Sequence, residues 1–266
     1  MTYEEYDALP GVRAGHLKAL AVSPKQYQHE MSNPSPDATH LRLGRANHAC
    51  ILEPDTFLDR FCVYPGPVRR GKEWEAFRGE NEHRDIVTQR EFDAALAIGV
   101  AVTTHPVAAR YLTEGVAEQT LTWRDYETDL ACKCRVDFLG AHLVEVKSTS
   151  KLEPRRFATD AARLGYHIQI AHCMAGAEAS RIDVAPEPIL IAVSSSPPHD
   201  VVVYEVPEHV LRIGQDRRRD LLRRLLECQV LEYWPGIAEE GLEQFELPAW
   251  ADPAAELHWD LEEKIA

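Results

Sequence analysis

Three consecutive segments with the alternating pattern of β-strands constrain the fold of this chain most strongly. They read AEQTLTWRD, DLACKCRVDFL and AHLVEVKST, with turn-forming residues at 126–129 between the first two and Gly140 before the third. A helical pattern follows at about 154–180, then two β-rich segments, EPILIAVSSS and DVVVYEV, and a long helical pattern at about 207–231. Strands flanked by helices predict an α/β or α+β fold.

The residues before these strands have mainly helical patterns. Prolines mark where these patterns break or end. The pattern in AGHLKALAVSPKQYQHEM is interrupted at Ser23-Pro24, and the one in HLRLGRANHACILEP ends at Pro54. A third pattern, at residues 89–112, is broken at Pro106. The stretch at 65–79 is rich in Gly, Pro and Arg, and we expect it to form a loop or a poorly ordered segment.

The composition is that of a globular protein and limits the chemistry. A net charge of −14 over 266 residues argues against a protein that coats nucleic acid nonspecifically, although a local basic lining can still hold DNA. Of the six cysteines only Cys132 and Cys134 lie close together, so we expect reduced thiols and no iron–sulfur cluster. No apolar run reaches the length of a membrane span and the N-terminus lacks a signal peptide, so a cytoplasmic protein without a membrane partner is expected.

Glu145 and Lys147 interrupt the third strand and share one of its faces, because successive residues of a strand point to opposite sides. Glu-x-Lys on a solvent-facing strand is common, and the tripeptide alone leaves that interpretation open. If 131–139 and 142–148 form a hairpin, Asp137 approaches the same face. Two carboxylates beside one lysine are costly to bury, and a divalent cation relieves their repulsion. Their oxygen atoms suit Mg²⁺ or Mn²⁺.

Asp137 followed by Glu145-Val146-Lys147 resembles the D…(D/E)xK signature of the PDDEXK nuclease superfamily. Tyr166 and Gln169 lie three apart on one face of the following helix. They resemble the Y-x-x-Q element of RecB-like and RecE-like nucleases, and an amphipathic helix with polar edges is the alternative. Cys173 stands where those families often have a tyrosine.

His48 lies four residues after Gly44 in a helical segment that ends in Leu-Glu-Pro. This segment resembles the G-x-x-x-H helix of RecE-type exonucleases, in which the histidine is a metal ligand; a structural or surface histidine is the alternative. Further similar stretches occur in the family's order along the chain: SPKQY, RRGKEWEAF, HPVAARYL, KCRVD, WPG and LPAW. From about residue 3 to 250 the chain therefore resembles RecE-type, exonuclease VIII-like nucleases of the PDDEXK and RecB-like superfamily.

The resemblance implies a restriction-endonuclease-like core, with a central mixed β-sheet flanked by helices, in a single PDDEXK nuclease domain over residues 1–266. Its parts would be a helical N-terminal part at about 1–115, a catalytic core at about 116–206, and a C-terminal helix and acidic tail at 207–266.

The resemblance also implies a Mg²⁺-dependent DNA exonuclease, with Mn²⁺ as a second suitable cation. It would degrade linear duplex DNA from 5′ to 3′ and leave 3′ single-stranded tails for recombination and repair. A ring-like homo-oligomer and a single-strand annealing partner are implied in the same way. No G-x-x-x-x-G-K-[ST] motif is present, so we expect the reaction to proceed without ATP.

The predicted catalytic site combines several segments. Lys147 would activate a water or stabilise the pentavalent phosphate, with Tyr166 and Gln169 beside it. Glu118 is either an additional metal-shell or water-positioning carboxylate or a surface charge at the start of a strand. The expected metal ligands are His48, Asp137, Glu145 and the backbone carbonyl of Val146.

Two groups of residues are candidates for DNA contacts. Lys133 and Arg135 share a strand face with Asp137, where they could contact the phosphates that flank the scissile bond. The second group belongs to a basic stretch that is either a DNA guide, with a tryptophan able to stack on a base, or a solvated turn. Its members are Arg69, Arg70, Lys72 and Trp74.

Two other functions remain open from the sequence. One is a different nuclease of the superfamily, either single-strand-specific or Cas4-like, and the missing cluster cysteines argue against the Cas4 type. The other is a catalytically silent DNA-binding relative, against which the complete set of candidate catalytic residues argues.

Overall fold

The computed structural model describes residues 3–33, 39–238, 241–242 and 244–247. The end of the predicted acidic tail and most of the LPAW stretch, beyond residue 247, lie outside the described residues. The helices are α1 (Tyr3–Ala8), α2 (Ala14–Val22), α3 (Pro24–Ser32), α4 (Thr39–Leu52), α5 (Phe57–Arg60), α6 (Lys72–Glu80), α7 (Gln89–Thr104), α8 (Ala108–Tyr111), α9 (Pro154–Arg163), α10 (Tyr166–Ala179) and α11 (Glu208–Leu231). The strands are β1 (Phe61–Val63), β2 (Asp85–Val87), β3 (Val116–Arg124), β4 (Ala131–Leu139), β5 (Leu143–Thr149), β6 (Ile189–Ser194) and β7 (Val201–Glu205).

Five strands form the main sheet in the order β3-β4-β5-β6-β7. Neighbouring strands are antiparallel except β5 and β6, which run parallel. A parallel pair needs a long crossover connection, and α9 and α10 supply it between these two strands. The sheet is therefore mixed, as the sequence resemblance implied. The short strands β1 and β2 pair with each other in a separate parallel ladder.

Helices cover both faces of the main sheet. On one face, Ile98 and Val102 of α7 pack against alternate residues of β5 and β6, namely Val144, Val146, Ile189, Ile191 and Val193. On the other face, α10 buries Cys173 against Val136 and Leu143. Leu211 of α11 packs into the adjoining cluster on the α10 side. Because the valines of β5 take the α7 side, Glu145 and Lys147 face α10. This architecture confirms the predicted α/β class with helices on both sides of the sheet.

The structure corrects two details of the sequence interpretation. The stretch at 65–79 was expected to be a loop, but its second half forms α6. The helix expected at about 154–180 is two helices, because Gly165 takes a left-handed conformation with φ of 65° between α9 and α10. Within the described part of the chain, no helix is both long and apolar enough to cross a membrane.

Candidate active site

Glu145 is the most enclosed charged side chain of the site, with 0% of its surface exposed. Lys147 Nζ donates to its Oε2 at 2.8 Å, and Gln169 Nε2 donates to the same oxygen at 2.6 Å. The thiol of Cys173 lies 3.6 Å from Oε1. The strand thus presents Glu145 and Lys147 on one face, as the alternation predicted, and α10 closes over them.

Asp137 meets this pair because β4 and β5 separate beside it. The two strands pair only at Phe138 with Val144 and at Leu139 with Leu143. At the preceding residue of β4, the side chain of Asp137 replaces the backbone pairing, and its Oδ2 accepts a hydrogen bond from the backbone N–H of Val146 at 2.7 Å. Lys147 Nζ lies 3.6 Å from the same oxygen, so one ammonium forms an ion pair with both carboxylates and offsets one of their two negative charges.

A second cluster lies on the other side of Asp137. His48 of α4 places its Nδ1 3.5 Å from Asp137 Oδ1 and 3.9 Å from Glu118 Oε1. One ligand atom from each of the three residues lies within 4.8 Å of the others. An imidazole and two carboxylates in this arrangement fit a divalent cation such as Mg²⁺ or Mn²⁺.

The backbone of Glu118 is distorted where it joins this cluster. Its φ is 53°, a left-handed conformation that costs a non-glycine residue about 1–2 kcal/mol. Pairing between β3 and β4 holds at Ala117 with Phe138 and at Gln119 with Val136, and skips the intervening position. Arg135 forms an ion pair with the Glu118 carboxylate. Strain of this kind clusters at functional sites, which favours the metal-shell interpretation of Glu118 over a surface charge.

The structure therefore groups the predicted metal ligands differently from the sequence interpretation. Glu118, which the sequence left as either a ligand or a surface charge, joins His48 and Asp137 in the three-residue cluster. Glu145 is held by the α10 side chains instead, and the carbonyl of Val146 accepts a hydrogen bond from Lys147 Nζ at 3.2 Å. Metal ligation by Glu145 and Val146 stays a prediction.

Burial and mutual attraction shift the pKa values of these groups. Burial alone would lower the pKa of Lys147, but the carboxylates of Glu145 and Asp137 outweigh it and hold that pKa above its usual value. Burial raises the pKa of Asp137, yet the charges of Lys147 and His48 bring it below the usual value. Burial, then the Asp137 charge, raise the pKa of Glu145. In the absence of metal, Lys147 is thus an ammonium ion that compensates the carboxylates.

Tyr166 and Gln169 both reach the site from the first turns of α10. Lys147 Nζ lies 5.6 Å from the centroid of the Tyr166 ring, within the range of a cation–π contact. Gln169 is further engaged by Lys18 of α2, whose Nζ donates to Oε1 at 3.0 Å. Lys18 could not be predicted as a site residue from the sequence, because a single lysine on a mainly apolar helix gives no local signal.

The ammonium of Lys133 is engaged inside the protein. It is 2% exposed, and its Nζ donates to the backbone carbonyls of Tyr6, Asp7 and Leu9 at 2.9, 2.8 and 2.7 Å. All three N–H groups of the ammonium are used to hold the end of α1. This position argues against the predicted phosphate contact and assigns Lys133 a structural role.

The predicted basic stretch lies on and just before α6. Arg69, Arg70 and Lys72 are exposed. The guanidinium of Arg69 lies 5.6 Å from the ring centroid of half-buried Trp74, whose ring also meets Tyr64 edge-on at 5.1 Å. Trp74 thus contacts Arg69 within the stretch and Tyr64 outside it. The role of the basic stretch in DNA binding stays a prediction.

A cleft of about 1700 Å³ opens beside the site. Arg135, which pairs with Glu118, forms part of its wall, together with Arg13, Arg45 and Arg84. Carboxylates also line it, and Arg13 and Arg45 form ion pairs with Asp7 and Asp85. The cleft thus contains both charge types, and Arg135 is the wall residue that links it to the cluster around Asp137.

Comparison with known proteins agrees with this fold. A family model described as a PDDEXK-like domain of unknown function (DUF3799) matches residues 14–242. The crystal structure of a candidate exonuclease from Eubacterium rectale is similar, with 14% identity, a TM-score of 0.65, and coverage of 93% of this chain and 96% of that chain. A phage-related exonuclease from Haemophilus somnus 129PT gives 11% identity over 86% of this chain and 99% of that chain, with a TM-score of 0.37. No curated protein matches significantly.

Proposed function

The chain belongs to this family of PDDEXK-like domains, and on that premise we propose that it is a metal-dependent DNA exonuclease of the RecE type. The observation that carries the proposal is the joint placement of two groups around Asp137. His48 and Glu118 lie on one side of its carboxylate, and Lys147 with Glu145 lies on the other. A cation site and a phosphate-stabilising lysine on opposite sides of one carboxylate suit phosphodiester hydrolysis.

His48, Glu118 and Asp137 are the residues that would hold the cation, and Glu145 with the Val146 carbonyl would complete the set. A bound divalent cation supplies polarisation of the scissile phosphate and a more acidic coordinated water. The four side chains include three carboxylates, which favour Mg²⁺ or Mn²⁺ over softer metals.

Lys147 would stabilise the negative charge that develops on the phosphate in the transition state. Its Nζ lies 2.8 Å from Glu145 and 3.6 Å from Asp137, which places a positive charge beside the carboxylates that would hold the cation. Gln169 and Cys173 would keep Glu145 in one orientation as the charge changes, since both contact its carboxylate. Tyr166 would limit the freedom of the Lys147 ammonium from the α10 side.

The finer features of the proposal follow the sequence resemblance. We propose digestion from 5′ to 3′ without ATP, with 3′ tails as products, by a single domain over residues 1–266. A ring-like homo-oligomer would supply processivity, and a single-strand annealing protein would take up the product. Arg135 and the cleft beside it would follow the DNA backbone, with the basic stretch around Trp74 as a second contact.

The test is digestion of defined DNA substrates with Mg²⁺. Linear duplexes with phosphorothioate-blocked 5′ ends or blocked 3′ ends are compared with closed circular duplex and single-stranded DNA. We expect degradation of linear duplex with free 5′ ends, protection by blocked 5′ ends, intact circles and full inhibition by a chelator. Lys147→Met and Asp137→Asn should each reduce the rate by about 100-fold or more, because each removes charge at the reacting phosphate or the cation.

Lys151→Met is the matched control, because Lys151 is 53% exposed and pairs with Asp160 at the surface. Digestion by the Lys147 and Asp137 variants at the wild-type rate would refute the site. Cleavage of closed circles would indicate an endonuclease. Faster digestion of single-stranded DNA than of duplex would favour the single-strand-specific nuclease. Binding of DNA without any cleavage would indicate that the protein is a catalytically silent DNA-binding relative.

A further inference from the structure

Lys18 approaches the site from a helix that the catalytic signature does not include. It belongs to α2, and its Nζ donates to Oε1 of Gln169 at 3.0 Å. The other end of the same amide, Nε2, donates to Oε2 of Glu145 at 2.6 Å. Lys18, Gln169 and Glu145 therefore form one chain of hydrogen bonds that ends at the ammonium of Lys147.

The direction of this chain follows from the chemistry of its two ends. An amide group has a donor end and an acceptor end that are nearly equal in shape. A lysine ammonium can only donate, and an ionised carboxylate can only accept. Lys18 therefore requires the oxygen of Gln169 on its own side, and the NH₂ group must face Glu145. Without Lys18, the Oε1 of Gln169 would lose this donor, and only the Glu145 carboxylate would hold the amide in its orientation.

The surrounding packing holds Lys18 in this place. A Cβ at Gly165 would lie 3.3 Å from Cγ and 3.5 Å from Cε of Lys18, so the glycine leaves room for the lysine stem. Nζ of Lys18 lies 5.7 Å from the ring centroid of Tyr166, and Nζ of Lys147 lies 5.6 Å from the same centroid. Tyr166 thus interacts with both ammonium groups.

The position of Lys18 is unfavourable for its charged form. Burial lowers the pKa of Lys18, and the Lys147 ammonium lowers it further, so that it stands at about 8 although Glu145 raises it. A lysine on the solvated face of α2 would avoid this cost. Such an unfavourable placement needs a compensating role, and the bond to Gln169 provides one.

We propose that Lys18 is a positioning residue for phosphodiester hydrolysis: it fixes the amide of Gln169 so that the NH₂ group holds the Glu145 carboxylate beside Lys147. The inference rests on the proposed nuclease function. It adds to that function a residue outside the D…ExK and Y-x-x-Q elements.

The kinetic test uses Lys18→Met, which keeps the length of the stem, and Lys18→Arg, which keeps a donor. We expect Lys18→Met to reduce kcat roughly tenfold with KM changed less than twofold, because one charge-assisted bond that orients the site is lost. Lys18→Arg should recover most of kcat, and the surface control Lys151→Met should match the wild type. The double variant with Gln169→Leu should be no slower than Gln169→Leu alone, because both changes remove the same support.

A second measurement needs no DNA and separates the two proposals. The side-chain NH₂ signals of Gln169 are assigned in a ¹⁵N-labelled protein by their loss in Gln169→Leu. Lys18→Met should shift these signals, and Lys18→Arg should return them towards the wild-type position. If the signals do not move, or if the kinetic losses in the double variant multiply, the positioning role is refuted. If the signals move while the wild type digests no DNA, the proposed function fails and Lys18 still orients Gln169.

Discussion

The carboxylate of Asp137 lies 2.7 Å from the backbone nitrogen of Val146 and takes the place of the next rung between β4 and β5. The strand backbone therefore helps to fix this side chain. Because the carboxylate is already in position, little conformational free energy is lost in ordering it when a cation binds.

We expect the cation to depend on both His48 and Glu118. His48→Asn and Glu118→Gln should each weaken Mn²⁺ binding about 10–100-fold, because the first removes the imidazole nitrogen from the cluster around Asp137 and the second removes a negative charge. Titration calorimetry measures this, with the exposed Glu205→Gln as control. If both variants bind Mn²⁺ like the wild type while Glu145→Gln does not, the cation lies on the Lys147 side of Asp137.

Lys133 should contribute to stability and not to DNA affinity. Lys133→Met leaves the carbonyls of Tyr6, Asp7 and Leu9 without their donor, and we expect a loss of about 2–4 kcal/mol in the free energy of unfolding. Urea denaturation measures it. Arg135→Met should instead weaken binding of a short duplex, and the opposite pattern would restore the phosphate contact predicted from the sequence.

We expect a side chain at Gly214 to disrupt the close packing of α10 against α11. A Cβ there would overlap the backbone carbonyl of His167 and come within 3.0 Å of the Cβ of Ala171. Gly214→Ala should therefore lower the free energy of unfolding by about 1–3 kcal/mol. Gly44→Ala in α4 is the matched control, because nothing lies within 4 Å of its Cβ position. The control should be neutral or stabilising by up to about 1 kcal/mol.

His172 should make the protein less stable in acid. Its Nε2 lies 3.1 Å from the carbonyl oxygens of Val12 and Lys133, and Arg218 donates to its Nδ1 at 3.3 Å. Complete burial, then the charge of Arg218, lower its pKa from 6.5 to about 4. Between these values the unfolded chain gains a proton that the folded chain refuses, so stability falls as pH falls, by about 3 kcal/mol in total.

The measurement is the melting temperature between pH 7 and pH 4. His172→Gln keeps an acceptor and a donor without a titrating group, so its melting temperature should fall less steeply than that of the wild type. Some slope should remain, because burial and the nearby Arg13 and Lys133 also lower the pKa of His16 to about 4. The exposed His209→Gln should behave like the wild type. Equal slopes for His172→Gln and the wild type would contradict the argument.

Local patterns predicted the strands of the main sheet but not everything around them. The residue pattern and the intervening turn residues predicted β3, β4 and β5, although β4 and the first half of β5 are buried on both faces. The face of β5 opposite its valines carries Glu145 and Lys147. Strands β1 and β2 have three residues each, too few for a period to be visible. Helix α6 was missed because the Gly-Pro-Arg composition before it hides its start at Lys72.

The same limit explains which site residues could be predicted. Asp137, Glu145 and Lys147 lie close in sequence, so their spacing carries information. Lys18 and the buried position of Lys133 depend on contacts with residues more than 100 positions away, and no local pattern encodes these contacts. The strained backbone of Glu118 is likewise a consequence of the completed sheet.

The bond between Lys18 and Gln169 joins residues 151 positions apart, and this separation sets an order in time. During synthesis the chain contains the Asp137 carboxylate and the Glu145–Lys147 strand before it contains α10. Until α10 emerges and β6 pairs with β5, no amide supports Glu145 and no helix covers it. Because the chain is synthesised from its N-terminus, the bond between Lys18 and Gln169 cannot form before residue 169 has been made. A nascent or truncated chain without α10 would therefore contain the acidic residues but lack the amide that supports Glu145. We expect cleavage only after α10 is in place.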